Sequence, residues 1–313
     1  MTDLVLKSYM AADADKWNAF VAASRSNLFM FERGFMDYHA ERFHDASVMF
    51  YSKNKLRGIF PANRNGAVVY SHQGLTYGGL LTGVDVKAAE IESMFDALAD
   101  YYRAMGVTQI QYKKIPWCFS TNLCEEDVYF LYQRGACLVR RDLSSVIDLR
   151  SRPKLSDSRK NVIRKAQQQG VSFEVINSVP EFHKLLVEVL AKHGAKPIHS
   201  VAELELLMAR FPDQIQLHGC YLNNELYAAA CLFDFGHIVH TQYLSASMES
   251  RKVGALDYLL EQLILQATQH GKRFFSFGIS TEAAGRTLNH GLIAQKEGFG
   301  GRGVALDFYE WCL

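Results

Sequence analysis

Apolar and polar positions along this chain fall into blocks, and the order of the blocks is written twice. In the first half, the runs Ser47–Tyr51, Leu56–Pro61 and Ala67–Tyr70 predict short antiparallel strands, with Asn54 and the stretch from Asn63 to Gly66 as turns. A glycine-rich stretch, His72 to Gly83, follows. From Asp85 to Met105 apolar residues recur every three or four positions (Val86, Ala89, Ile91, Met94, Phe95, Leu98, Tyr101, Tyr102), which predicts an amphipathic helix stopped by Gly106. A strand Val107–Tyr112, a helix Glu126–Arg134 ending at Gly135 and a strand Ala136–Leu149 complete the half.

The second half repeats this order. Strands are expected at Gln216–Leu222, Leu226–Phe235 and Ile238–Ala246, with turns at Asn223-Asn224 and Phe235–His237. Then come a helix Ala255–His270 capped by Gly271, a strand Phe274–Phe277, a helix Leu288–Lys296, Gly298 and a closing strand Val304–Trp311. Alignment of the copies sets Gly106 against Gly271, Gly135 against Gly298, and residues 71–79 against 239–247. Between them, Ser156 to Ala166 reads as a serine-capped helix with a basic face that stops at Gly170, and helices Val179–Lys192 and Ser200–Arg210 open the second half.

The 313 residues exceed the ~100–200 of a typical single domain, which supports two domains, 1–150 and 151–313. The expected class is α/β (α+β), each domain a mixed, mainly antiparallel sheet flanked by helices. A net charge of +1 excludes a broadly basic nucleic-acid surface, and the helix Lys154–Lys165 is the one basic cluster. The six cysteines lack metal or CxxC spacing and read as reduced thiols; no metal site is expected. The N-terminus lacks the apolar core of a secretory signal and no window is long enough to span a membrane, so a cytoplasmic location without membrane insertion is expected.

Chemistry concentrates after the strand Ile238–Ala246. It runs into Arg251, Lys252, Val253, Gly254, Ala255 and Leu256, where a helix begins and its first amides are available to an anion; Gly254 would let a phosphate approach closely. These six residues resemble the pyrophosphate loop of the GNAT acyltransferase superfamily, Arg/Gln-x-x-Gly-x-Gly/Ala, with Leu256 in place of the last small residue. Residues 158–175 and 291–311 resemble the FemAB-like branch, built from tandem GNAT-type domains. The resemblance spans nearly the whole chain. It implies acyl-CoA, with acetyl-CoA foremost, as co-substrate, an amine acceptor such as an amino sugar of a cell-surface polysaccharide, and a charge-neutralising role for Lys296. Asn289, followed by Gly298 and Phe299, resembles the end motif that reaches the adenine side of CoA.

Around that donor site, backbone amides near Tyr243, Leu244 and Ser245 are candidates for holding an oxyanion. His240 is a candidate proton acceptor with an ordinary pKa near neutrality, Tyr243 a candidate donor to a leaving thiolate, and Glu282 a candidate base. Strict strand alternation would place His240 with Gln242 and Leu244, and Tyr243 with Thr241 and Ser245 on the opposite face. In the first half, Gly78 to Gly83 lacks the Arg/Gln, so that copy is expected to shape the acceptor side, with His39, Arg42, His72, Gln73 and Tyr77, beside Tyr38, lining a cleft between the halves. Direct attack by the amine is expected, since no cysteine or serine has an evident His/Asp partner. Two other readings stand beside this one: an aminoacyl-tRNA-dependent transferase, the activity for which the FemAB branch is named, and a catalytically inactive ligand-binding GNAT pair. Oligomeric state is not legible.

Overall fold

The structure, a computed structural model, describes residues 4–192 and 194–313. It divides into two compact units, residues 1–142 with 283–286 and 305–313, and residues 143–282 with 287–304. The cut falls within the strand Cys137–Asp148, earlier than 150/151, and the last residues return to the first unit because Phe308–Cys312 pairs antiparallel with Gln109–Lys113.

In the first unit, Leu4–Ser8, Val48–Ser52, Lys55–Phe60 and Leu81–Thr82 form an antiparallel sheet in that order. Asn63–Asn65 pairs antiparallel with Val68–Tyr70, which lies parallel to Gln109–Lys113. The helix Ala88–Ala104 turns Ile91, Met94, Phe95, Leu98 and Tyr102 into a core with Phe50, Phe60, Ile110 and Trp311, as its spacing predicts.

In the second unit the strands Ser172–Val175, Ile215–Leu222, Glu225–Asp234 and Ile238–Ala246 are successive antiparallel neighbours. Ile238–Ala246 is then parallel to Phe274–Ile279, whose other neighbour is the stretch Ser144–Asp148. One face carries the helix Ala255–Gln269, which buries Leu259, Leu260, Leu263, Ile264 and Ala267 against Ala228, Ala230, Leu232 and Phe275. Each fully buried leucine there contributes roughly 1.5–3 kcal/mol. The helix Val179–Ala191 packs on Ile238–Ala246 from the other face, bringing Phe182 to Tyr243 with ring centroids 6.4 Å apart.

The duplicated order is present in both units. Each carries a parallel strand pair joined through a long helix, and each helix is followed by a left-handed glycine, Gly106 (φ 75°) and Gly271 (φ 70°). Two details differ from the alignment. The left-handed counterpart of Gly135 is Gly300 (φ 99°), because Gly298 is still inside the helix His290–Gly298. Residues 71–79, set against the strand at 239–247, form no strand at all.

Candidate functional site

The site begins where two neighbouring strands of the second unit part. Ile238, Val239 and His240 pair with Phe274, Phe275 and Ser276, and there the parallel ladder stops although Ile238–Ala246 runs on. Both strands carry an irregularity just past this point. On the first, Thr241 faces Leu232 and Tyr243 faces Cys231, so Gln242 is an extra residue, a β-bulge. On the second, the register against Ser144–Asp148 shifts between Ser276 and Ile279, with Gly278 at φ 76°. Beyond His240, the backbone of the first strand has no ladder partner on this side among the described residues.

The kink at Gly278 has a visible consequence. Successive carbonyls of a regular strand point to opposite sides, yet Lys296 Nζ donates to both Gly278 O (2.9 Å) and Ile279 O (2.6 Å). Lys296 is 4% exposed, and burial lowers its pKa to about 8. It is not a solvated helix lysine, and its charge already serves these two carbonyls. His240 is likewise buried, with Nδ1 3.1 Å from Ser276 Oγ. Burial, assisted by the charge of Lys296, lowers its pKa to about 4, so it is neutral at pH 7 and a far weaker base than its ordinary value promised.

The bulge at Gln242 also corrects the expected alternation. His240 faces Phe233 and Tyr243 faces Cys231, two residues apart on one neighbour, so His240 and Tyr243 share a face of the sheet. Ser245 joins them, since it faces Ala229, whereas Leu244 turns its side chain into the core beneath the helix Ala255–Gln269. Leu244 therefore has only its backbone to offer a ligand. Tyr243 Oη lies 2.7 Å from His199 Nδ1, and burial raises the phenol pKa to about 12. Ser245 Oγ is buried without a hydrogen-bond partner among the described residues.

The segment after the strand forms one helical turn, Ser250–Val253, then Gly254 at φ 77°, then the long helix. A Cβ on Gly254 would lie 2.7 Å from Val162 Cγ1 and 2.8 Å from its carbonyl oxygen. The glycine is thus demanded by its backbone angle and by the neighbouring helix Asp157–Gln168, not by open space for a phosphate as expected. Ala255 is fully buried and Asp257 nearly so, the latter paired with Arg159, while Val253 and Leu256 are half-buried and Arg251 and Lys252 exposed. The helix start is covered on the side of Asp157–Gln168 and accessible on the side of the two cations.

The basic helix is tied down at one cation: Arg159 is held by Asp257, whereas Lys160, paired within the helix with Asp157, and Lys154, Arg164 and Lys165 are exposed. Just ahead of the helix, Arg152 grips Glu261 with two bonds of 3.1 and 2.6 Å. Glu282 is exposed on the short hairpin Thr281–Glu282/Thr287–Leu288, where Asn289 Nδ2 donates to it at 2.7 Å. Asn289 Oδ1 accepts from Leu292 N at 2.9 Å as the cap of its helix.

The first-unit candidates divide into three buried residues and two exposed ones. His39, His72 and Tyr77 are each at most 5% exposed. His39 stacks on Tyr38 and meets His72 with centroids 5.5 Å apart, Tyr77 lies 4.4 Å from Phe119, and Gln73 accepts from Asn63 Nδ2 at 2.8 Å. Arg42 and Gln73 are exposed. Sequence reasoning missed His199, Ser276 and Val162. Nothing local marks them, since His199 and Tyr243 are 44 residues apart. The buried thiols of Cys118 and Cys220 are pushed up to about 12, and among the described residues no group of His, Cys, Asp and Glu is placed to hold a metal ion.

Residues 155–284 match the model of the Acetyltransferase (GNAT) domain. The whole chain has the fold of the crystal structure of FemX (10% identity, 99% of this chain and 97% of that one, TM-score 0.71). It is also similar to the C-terminal domain (DUF2156) of a putative lysylphosphatidylglycerol synthetase from Agrobacterium fabrum (12%, 96% and 92%, TM-score 0.65). A tandem GNAT protein from the clavulanic acid biosynthesis pathway is a third (12%, 98% and 98%, TM-score 0.56). Among curated proteins nothing matches. No helix of the described residues is long and apolar enough to cross a membrane.

Proposed function

We propose, from the match of residues 155–284 to the Acetyltransferase (GNAT) domain and from the tandem GNAT fold, that the chain moves an acyl group from acyl-CoA to an amine, with the donor held by the second unit. The observation that carries this reading is the parting of Ile238–Ala246 from Phe274–Ile279 directly after the pair His240–Ser276. An edge freed in the middle of a sheet offers amides and carbonyls that an extended, amide-containing chain such as pantetheine can pair with. Acyl-CoA would supply an activated thioester carbonyl there. The hydroxyls of Ser245 and, just past the strand, Ser250, both 1% exposed and unpaired among the described residues, favour a polar ligand here, and the exposed Arg251 and Lys252 suit its phosphates.

The chain's own residues have three tasks. The backbone from Tyr243 to Ser245 orients the donor and polarises its carbonyl, Lys296 fixes the kinked strand end opposite, and neutral Tyr243 is available for proton transfer. An amino sugar is the acceptor this reading tries first. Isothermal titration with acetyl-CoA, followed by thiol release on adding a panel of amino sugars and simple amines, tests it. Donor binding with amine-dependent thiol release is expected; donor binding without release under any amine makes the chain a binding module, and no donor binding ends the acyl-CoA reading.

Transfer from aminoacyl-tRNA is the second reading, favoured by the whole-chain likeness to FemX. Arg152 and Arg159 are paired internally, so the basic surface this reading needs would come from the exposed Lys154, Lys160, Arg164 and Lys165. Salt-sensitive tRNA binding with no response to CoA is the outcome that would select it.

A further inference from the structure

Tyr243 and His199 are joined by a bond that no secondary structure requires. His199 sits in the connection between the helices Val179–Ala191 and Val201–Arg210, 6% exposed, directly before the capping residue Ser200. Its Nδ1 lies 2.7 Å from Tyr243 Oη, the rings meet edge to face at 5.8 Å, and its carbonyl oxygen lies 3.1 Å from His183 Nε2. The imidazole tautomer sets the direction of this bond: with Nδ1 unprotonated, Tyr243 donates to it, and the phenol oxygen is also approached by the backbone N–H groups of His199 and Ile198 and by the Gln242 side chain. The bulge at Gln242 sets this hydroxyl on the sheet face of His240 and Ser245, just beyond the point where the strands part. On that face Ser245 Oγ is 1% exposed and without a partner among the described residues, an independent sign that a polar group from outside the chain completes the site.

We infer that Tyr243 and His199 form a proton relay for the acceptor amine, with Tyr243 touching the nitrogen and His199 as its positioning and proton-accepting partner. The inference rests on the acyl-transfer reading. In the step, the amine lone pair forms the C–N bond to the acyl carbon, and the bond from that carbon to the donor's sulfur breaks with its electron pair on sulfur. The proton that nitrogen must lose passes to the phenol oxygen while the phenol's own proton passes to His199 Nδ1. The imidazolium releases it to solvent, from which the thiolate is protonated. His240, fixed by Ser276 and beside the charge of Lys296, is the poorer base on this face.

The test uses the full chain with acetyl-CoA and the best amine of the panel. Tyr243→Phe and His199→Ala are each expected to lower kcat about 100-fold, a normal share for general base catalysis, with the donor KM within about twofold of the parent. The double variant should fall little further, and added imidazole should restore His199→Ala at least about tenfold but leave Tyr243→Phe unchanged, a rescue that a purely structural histidine would not show. Should His199→Ala not fold, Tyr243→Phe, which keeps the ring and deletes one hydroxyl, decides alone. Variants that keep kcat within about threefold of an active parent overturn the relay and leave acyl transfer standing. A parent inactive with every amine overturns the acyl-transfer reading, and the relay with it.

Discussion

The two units begin the same motif and finish it differently. In both, three residues pair in parallel before the strands part: Ile238–His240 with Phe274–Ser276, and Val68–Tyr70 with Gln109–Gln111. In the second unit the strand then continues to Ala246 with one side unpaired. In the first, the corresponding chain leaves the sheet and is stitched down. Ser71 Oγ accepts from Lys113 N at 2.7 Å, Lys113 Nζ donates to the carbonyls of His72 (3.0 Å), Gln73 (3.3 Å) and Leu75 (2.5 Å), and Leu80 N donates to Tyr112 Oη at 2.9 Å. A gap between parting strands exposes backbone polar groups, and it is either filled by the chain itself or left for a ligand. Each unit places a lysine on carbonyls at this point, the half-buried Lys113 closing its gap and the buried Lys296 bracing the edge of an open one.

The comparison breaks most visibly at its glycines. Gly254→Val forces a side chain onto Val162 at positive φ, and the resulting shift of the donor segment should reduce kcat/KM for acetyl-CoA about 100-fold. Gly79→Val, at φ 102° and 2.6 Å from Tyr112 Oη, should lower the melting temperature while donor affinity by titration stays unchanged. A loss of donor affinity in the second variant would end the assignment of the donor to one unit.

The lysines sharpen it next. Lys296→Met should cut kcat about tenfold by releasing the kinked strand end, whereas Lys113→Met should cost stability alone, at most about 1–3 kcal/mol for each of the part-buried carbonyls of His72 and Leu75 that water does not reach. Burial lowers both pKa values to about 8, below the ~10.4 of an unfolded lysine. Between these values the unfolded chain binds more protons, so stability rises with pH from about 8 to 10. Urea melts across that range should show a shallower rise in either variant.

Buried histidines act in the opposite range. His240 titrates near 4 and His72 near 3, both below the ~6.5 of the unfolded chain, so stability falls as pH drops through 6.5 towards those values. His240→Asn and His72→Asn should each shrink the fall in melting temperature between pH 6.5 and 4.5 by a few degrees. The smallest effect is expected from the exposed cations. Arg251→Ala and Lys252→Ala should raise the donor KM about threefold each, with kcat unaltered and a weaker dependence on salt.

Much of the fold was legible because periodicity and glycine stops are local. The helix read at Ala255–His270 ends at Gln269, and the strand Ile238–Ala246 has the bounds that its apolar run gave. The strand Leu4–Ser8 and helix Ala14–Ala23 went unread, the first because it is mostly exposed and short, the second because only Trp17 and Val21 are buried and no stripe results. In the site, residue types were easier to pick than their neighbours. His240 and Lys296 were found, but the bulge that turns Tyr243 onto the face of His240 has no signature in the run VHTQYLS, since an extra residue shows only against a partner strand.

The sequence by itself determined two copies of one order of elements and the place where a glycine-marked helix start follows a strand, because these depend on spacing within some twenty residues. Tertiary structure alone decided which copy keeps its gap open, which histidine stands beside Tyr243, and that Gly254 answers to Val162. Those outcomes turn on side chains tens of residues apart competing for the same buried carbonyls and hydroxyls. Such a competition is resolved only once packing has removed the water that would otherwise satisfy them all.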